Sequence, residues 1–144
     1  MVDVIYENDV IDSVVALLRE HGWTLHEIRY AHEKGDDIVA TRGAQRLRVE
    51  AKGEGSSKAD SARHGKPFSD GQVFTHVSVA VGRAMVWTSN GSDLAAIALP
   101  DNDAHARRVD LIRPSLQRLE IGIFWVDPAG AWRWEGTPEA LTPR

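Results

Sequence analysis

The run GDDIVATRGAQRLRVEAK, residues 35–52, holds three side chains of the types that bind hard metal ions and act on water: Asp37, Glu50 and Lys52. The chain has only four lysines, and this one stands two residues after a glutamate. Side chains alternate faces along a strand, so Arg48, Glu50 and Lys52 share one face while Leu47, Val49 and Ala51 share the other. With Gly43-Ala44 as a two-residue turn, Arg42 pairs with Gln45 and Asp37 falls opposite Glu50, about 5 Å away at Cβ. A three-residue turn would shift the pairing by one and set Asp36 opposite Lys52. The doubled aspartate covers either register.

Two carboxylates so close repel and raise each other's pKa unless a cation intervenes, and all-oxygen ligation suits Mg²⁺ or Mn²⁺. Such an ion can take a phosphate oxygen and lower the pKa of a bound water. Lys52 beside that water could orient the nucleophile, neutralise a phosphorane or, crowded by charge, act as a base. The same residues also read as solvated charges on an exposed strand, with turn chemistry at its start.

The elements that must position these residues follow from periodicity. Val10, Val14, Leu17 and Leu18 recur at helical spacing from Asp9 to a stop at His21-Gly22. TLHEIRYAH, DIVAT and QRLRVEAK read as three strands, the last two forming the hairpin. GEGSSKADSARHGKP is a polar loop, and Ser69-Asp70-Gly71-Gln72 has the form of a capping box that opens a helix from about Asp70 to Met85. DLAAIALP is a strand, NDAHARRVDLIRPSLQRL a helix interrupted near Pro114, and IGIFWVD and AWRWE the last strands, joined by a turn at Pro128-Ala129-Gly130. This order predicts an α/β fold in one domain, residues 1–144, with a mixed sheet flanked by helices on both faces.

At 144 residues, 42% hydrophobic and with net charge −4, the chain can build one core and has no global attraction for nucleic acid or anionic membrane. Having no cysteine, it has no disulfides, thiolate zinc sites or cysteine nucleophile. Neither a secretion signal nor a membrane-spanning run is visible, so a soluble cytoplasmic protein is expected.

The pattern G-D-D-I-V-A, a hairpin, then R-V-E-A-K-G resembles the acid, strand, (D/E)-x-K signature of the PD-(D/E)xK nuclease superfamily, the restriction-endonuclease-like fold. The resemblance runs from Glu7 to Arg83, and the order α-β-β-β-α-β is that superfamily's common core, here with an added helix and terminal strands. It implies that Asp37 and Glu50 bind the metal, that the Ala51 carbonyl completes its shell, and that Lys52 is the catalytic lysine. Many members place a glutamate on the first helix; Glu7 is the best match, with Asp12 and Glu20 as rivals. Gln72-Val73-Phe74-Thr75-His76 is similar to a Q-h-x-x-Y form found among helicase-associated exonucleases, with His76 in place of Tyr. Gln72 has the competing role of closing the capping box with Ser69.

Residues 42–66 hold seven basic and three acidic side chains, a locally basic segment in an acidic chain. Within it Arg48, Lys58, Arg63 and Lys66, together with His76, are candidates for substrate phosphates. His26 and His32 are too far apart for a helical metal pair, His64 and His105 have polar surroundings and no partner in sequence, and Trp125, Trp132 and Trp134 read as packing or interface residues. The resemblance thus implies a Mg²⁺- or Mn²⁺-dependent nuclease that hydrolyses phosphodiesters, DNA being the expected partner. The runner-up is a catalytically inactive nuclease-like domain that binds nucleic acid or serves in assembly. A third class is an enzyme acting on another phosphate ester. A homodimer through IGIFWVD and AWRWE is expected, because an exposed apolar edge invites pairing.

Overall fold

The computed structural model describes residues 4–31, 33–54, 68–91 and 93–136. Helix α1 (Glu7–Glu20) leads into a meander of β1 (Thr24–Ile28), β2 (Ile38–Arg42) and β3 (Gln45–Ala51). Helix α2 (Asp70–Asn90) and β4 (Leu94–Pro100) follow, then α3 (Asp103–Asp110), α4 (Arg113–Arg118), β5 (Ile121–Val126) and β6 (Trp132–Glu135). The strands form one six-stranded sheet in chain order. Pairing is antiparallel from β1 to β3, parallel from β3 through β4 to β5, and antiparallel again to β6.

Alternation divides the core into two layers. Leu47, Val49 and Ala51 point to the α1 face, where they join Val10, Val14, Leu18 and Phe124. Ile97, Leu99, Ile123 and Trp125 point the other way and meet Val73, Val77, Ala80 and Trp87 of α2, with Val109 and Leu116 below. Burying a side chain of this kind contributes about 1.5–3 kcal/mol, so each layer fixes the register of the strands it covers. Mixed pairing with helices on both faces is the predicted α/β class.

Several boundaries differ from the periodicity. Helix α1 starts at Glu7, two residues before the expected Asp9. The first strand stops at Ile28; Arg29 still donates its N–H to Asp37 O at 2.7 Å, and Tyr30-Ala31 then turn away to meet α1, where Tyr30 Oη donates to Asp12 and the Ala31 N–H to Asn8. A bulge between Leu25 and Glu27 accounts for the imperfect alternation there. Helix α2 passes Met85 to end at Gly91 (φ 75°), because Trp87 is buried and no residue before Gly91 stops the turn. The interruption near Pro114 is real: α3 ends at Asp110, and Pro114 lies in the first turn of α4, where its missing N–H costs nothing.

The expected dimer edge also changes character. β5 is buried along its whole length between β4 and β6, so of these two strands β6 alone lies at a sheet margin, the other margin being β1. The Trp125 ring is wholly buried, and Trp134 packs over Phe124 at 4.7 Å between ring centroids. Gly122 is required there, because a Cβ would lie 1.8 Å from the Trp134 ring. Among the described residues no helix is long and apolar enough to cross a membrane.

Gly53, just past β3, ties the sheet to α1. The neighbouring Glu54 N–H donates to Ile5 O at 2.9 Å, and a Cβ on Gly53 would lie 2.1 Å from the Glu7 nitrogen. Backbone cannot swing aside as a side chain can. Gly53→Ala is expected to lower stability by about 2 kcal/mol or more, read as an earlier urea midpoint with an unchanged slope. An unaltered midpoint would show that the two segments are not in contact.

Candidate active site

The hairpin takes the two-residue turn. Arg42 pairs with Gln45 and Ile38 with Val49, and Gly43 adopts φ 60° as such a turn requires. One step beyond the last pair, Asp37 comes opposite Glu50, and the alternative register with Asp36 opposite Lys52 does not form. Asp37 is fixed by accepting the Ala51 N–H at 2.8 Å. The Lys52 N–H continues the parallel ladder to Ala98 O at 2.9 Å. The group therefore stands at the carboxyl end of β3, where the sheet changes from antiparallel to parallel pairing.

A cleft of about 350 Å³ opens there, lined by Glu7, Tyr30, Asp37, Glu50, Lys52 and Arg83 among others. Lys52 Nζ lies 3.4 Å from Glu50 Oε2. Arg83 Nε lies 3.2 Å from Glu50 Oε1, yet that oxygen is buried and receives no aligned hydrogen bond. The N–H is near the oxygen without pointing at it, which leaves an ion pair and an unused lone pair. Burial first, then the Asp37 charge, pushes the Glu50 carboxyl up to about 7, against the opposing pull of Lys52 and Arg83. Burial also raises Asp37, although the Ala51 N–H and Lys52 oppose it, and burial and Asp37 raise Glu7. Three acids thus share one shortage of positive charge.

Among the described residues no group of three or more His, Asp or Glu side chains is arranged to close around one ion. A hard divalent ion does not need such a cage, since Mg²⁺ commonly takes one or two carboxylates and keeps its waters. Asp37 and Glu50, both lining the cleft, with Glu50 Oε1 receiving no hydrogen bond, fit that requirement. The Ala51 carbonyl is next in the chain.

The other expected site residues separate. Arg48 lies on the Glu50 face but is held between Asp36 and Asp93, its Nε 2.5 Å from the Asp93 carboxylate. Gln72 is not in the cleft: its Oε1 accepts from the Ser69 N–H at 2.8 Å and completes the capping box. His76 is turned aside as well, its ring stacked on Phe68 at 4.6 Å. Burial and then Lys52 lower its pKa. Lys58, Arg63 and Lys66, with His32 and His64, lie outside the described residues. Of the rivals to Glu7, Asp12 holds Tyr30, and Glu20 is exposed at the last turn of α1.

Two features escaped the sequence. Arg83 reaches the cleft from α2, although the sequence marked it only as the end of the family resemblance. His105 is 0% exposed rather than in polar surroundings. Asn102 caps α3, accepting the His105 N–H at 3.0 Å, contacts its Nδ1 at 2.8 Å, and donates to Glu54 at 3.2 Å. The signal was the spacing N-D-A-H, an N-cap asparagine three residues before the histidine. Burial, then His76, lowers His105 to about 4.

Comparison with protein-family models finds no match, and comparison with curated proteins finds no relative.

The raised carboxyl has a thermodynamic sign. Because the folded Glu50 holds its proton up to about 7 and the unfolded chain releases it near 4.5, its contribution to stability is present below about 4.5 and is lost as pH rises through 7. His105 acts oppositely, its contribution being lost as pH falls from 6.5 toward 4. Glu50→Gln removes only the first effect. Without divalent metal, the variant should gain on the wild type between pH 5 and pH 8 by up to about 3 kcal/mol, at 1.36 kcal/mol per pKa unit. Thermal melts across that range read the difference, and a constant offset would mean that Glu50 is ionised throughout.

Proposed function

We propose that the protein is a metal-dependent phosphodiesterase acting on nucleic acid, with DNA as the expected substrate, on a restriction-endonuclease-like core. The observation that carries this reading is the buried Asp37–Glu50 pair, both carboxyls raised by burial, with Lys52 Nζ 3.4 Å from Glu50. The order from α1 to β4 supports it, as does the site's position at the carboxyl end of β3.

Asp37, Glu50 and the Ala51 carbonyl would hold Mg²⁺ or Mn²⁺. The bound ion supplies charge stabilisation at a phosphate oxygen and a more acidic water. The chain's own contribution is positional. Glu7, in the cleft wall with its pKa raised by burial and then by Asp37, is placed to accept a hydrogen bond from water. The Lys52 ammonium can orient the nucleophile or neutralise charge on the phosphorane, and both roles use the same position. Hydrolysis adds hydroxyl to phosphorus and returns a proton to the departing oxygen, so a cation beside the pair lowers the barrier without a covalent intermediate.

A second reading is a non-catalytic binding or assembly module. It is favoured by Arg83 and Lys52 already pairing with Glu50. Plasmid cleavage with Mg²⁺ or Mn²⁺ separates the readings. Lys52→Met should cut about 100-fold more slowly or worse, while Arg118→Ala on the remote α4 cuts normally. Equal rates in both variants, or no cutting by the wild type in either metal, would sink the nuclease reading.

A further inference from the structure

We infer that Arg83 is a phosphate-binding residue held in reserve by the metal site: at rest it occupies Glu50, and a divalent ion taking Glu50 frees it to bind the substrate's phosphate. This rests on the nuclease reading. Its guanidinium spans two carboxylates, with Nε 3.2 Å from Glu50 Oε1 and one terminal nitrogen 3.4 Å from Asp36 Oδ1. One of those partners is an expected metal ligand and the other is not. Asp36 lies outside the ligand set, already held by Arg48.

The two contacts do different things. An ion cannot bind the buried Glu50 Oε1 while Arg83 keeps its charge against that atom, because two cations there repel. Once Glu50 is taken, Asp36 still tethers Arg83 at the wall of the cleft. The side chain is 44% exposed, so it has room to turn. An arginine fork matches the oxygens of a phosphate better than a lysine does. Of the other cations near the cleft, Arg48 is locked between Asp36 and Asp93, Lys52 and Lys34 carry single ammonium groups without the fork, and only Arg83 among the three cleft-lining cations is an arginine. The doubled aspartate thereby acquires a division of labour, Asp37 facing the ion and Asp36 holding the arginine.

Removing Arg83 should therefore have opposite effects on two ligands. Calorimetric titration with Mn²⁺ is expected to show Arg83→Ala binding the ion roughly 3- to 10-fold more tightly than wild type, the range that a partly buried ion pair is worth. Arg83→Lys, which keeps the charge but cannot span both carboxylates, should fall between. Anisotropy with a short DNA duplex, in a Lys52→Met background so that nothing is cut, should show Arg83→Ala binding several-fold more weakly in Mn²⁺ and equally well without it. Far-ultraviolet dichroism confirms that the variants fold. If wild type binds Mn²⁺ and Arg83→Ala binds it equally or more weakly, the inference about Arg83 fails and the nuclease reading stands. If neither protein binds Mn²⁺ at millimolar concentration, both fail.

Discussion

Asp37 and Glu50 face each other across a hairpin, each less than a tenth exposed, and burial penalises both charges. A buried carboxylate pair costs stability unless a cation stands between or beside its members. The surroundings answer that demand only in part. Lys52 and Arg83 approach Glu50, the Ala51 N–H satisfies Asp37, and one Glu50 oxygen keeps a lone pair with no donor aligned to it. Nothing in packing requires an acid at either position, since the opposite faces of β2 and β3 already carry Ile38, Ala40, Leu47 and Val49 into the α1 layer. A pair that the core does not need and the electrostatics oppose fits a function that supplies positive charge from outside.

The site's placement is a consequence of the sheet. β3 pairs antiparallel with β2 on one side and parallel with β4 on the other, its amino end closing in the hairpin and its carboxyl end standing at the cleft. α1 is pulled over this end by the Glu54–Ile5 hydrogen bond and the close approach at Gly53, which brings Glu7 to the cleft wall. α2 packs by Val73, Val77, Ala80 and Ala84 on the other face, and its length then sets where Arg83 emerges. Side-chain alternation thus divides β3: positions 47, 49 and 51 enter the α1 layer of the core, while Glu50, and Lys52 just past the strand, turn to the site.

That alternation is why much of the arrangement was legible beforehand. The clean period of two in QRLRVEAK and the Gly43 turn defined the register that sets Asp37 against Glu50, and the Ser69–Gln72 capping box marked the start of α2. What stayed hidden depends on contacts between elements distant in sequence. Gln72 read equally as a cap and as a site residue, and only the geometry commits it to the cap. Arg83 is 33 residues from Glu50 along the chain, and no local pattern links them. His105 looked solvated because its neighbours in sequence are polar, yet the helix turns it inward beneath Asn102. The run IGIFWVD looked like a sticky edge because its partner β6 is short and rich in tryptophan, which read as interface rather than cover.

The Asp37–Glu50 pair is proposed to hold a hard cation. The most direct measurement is a crystal of the protein soaked in Mn²⁺ and examined by anomalous scattering. The expected result is a peak at about 2.0–2.3 Å from oxygens of both carboxylates and near the Ala51 carbonyl, with the Arg83 guanidinium withdrawn from Glu50. A map with no peak there at millimolar Mn²⁺, and Arg83 still against Glu50, would contradict the account.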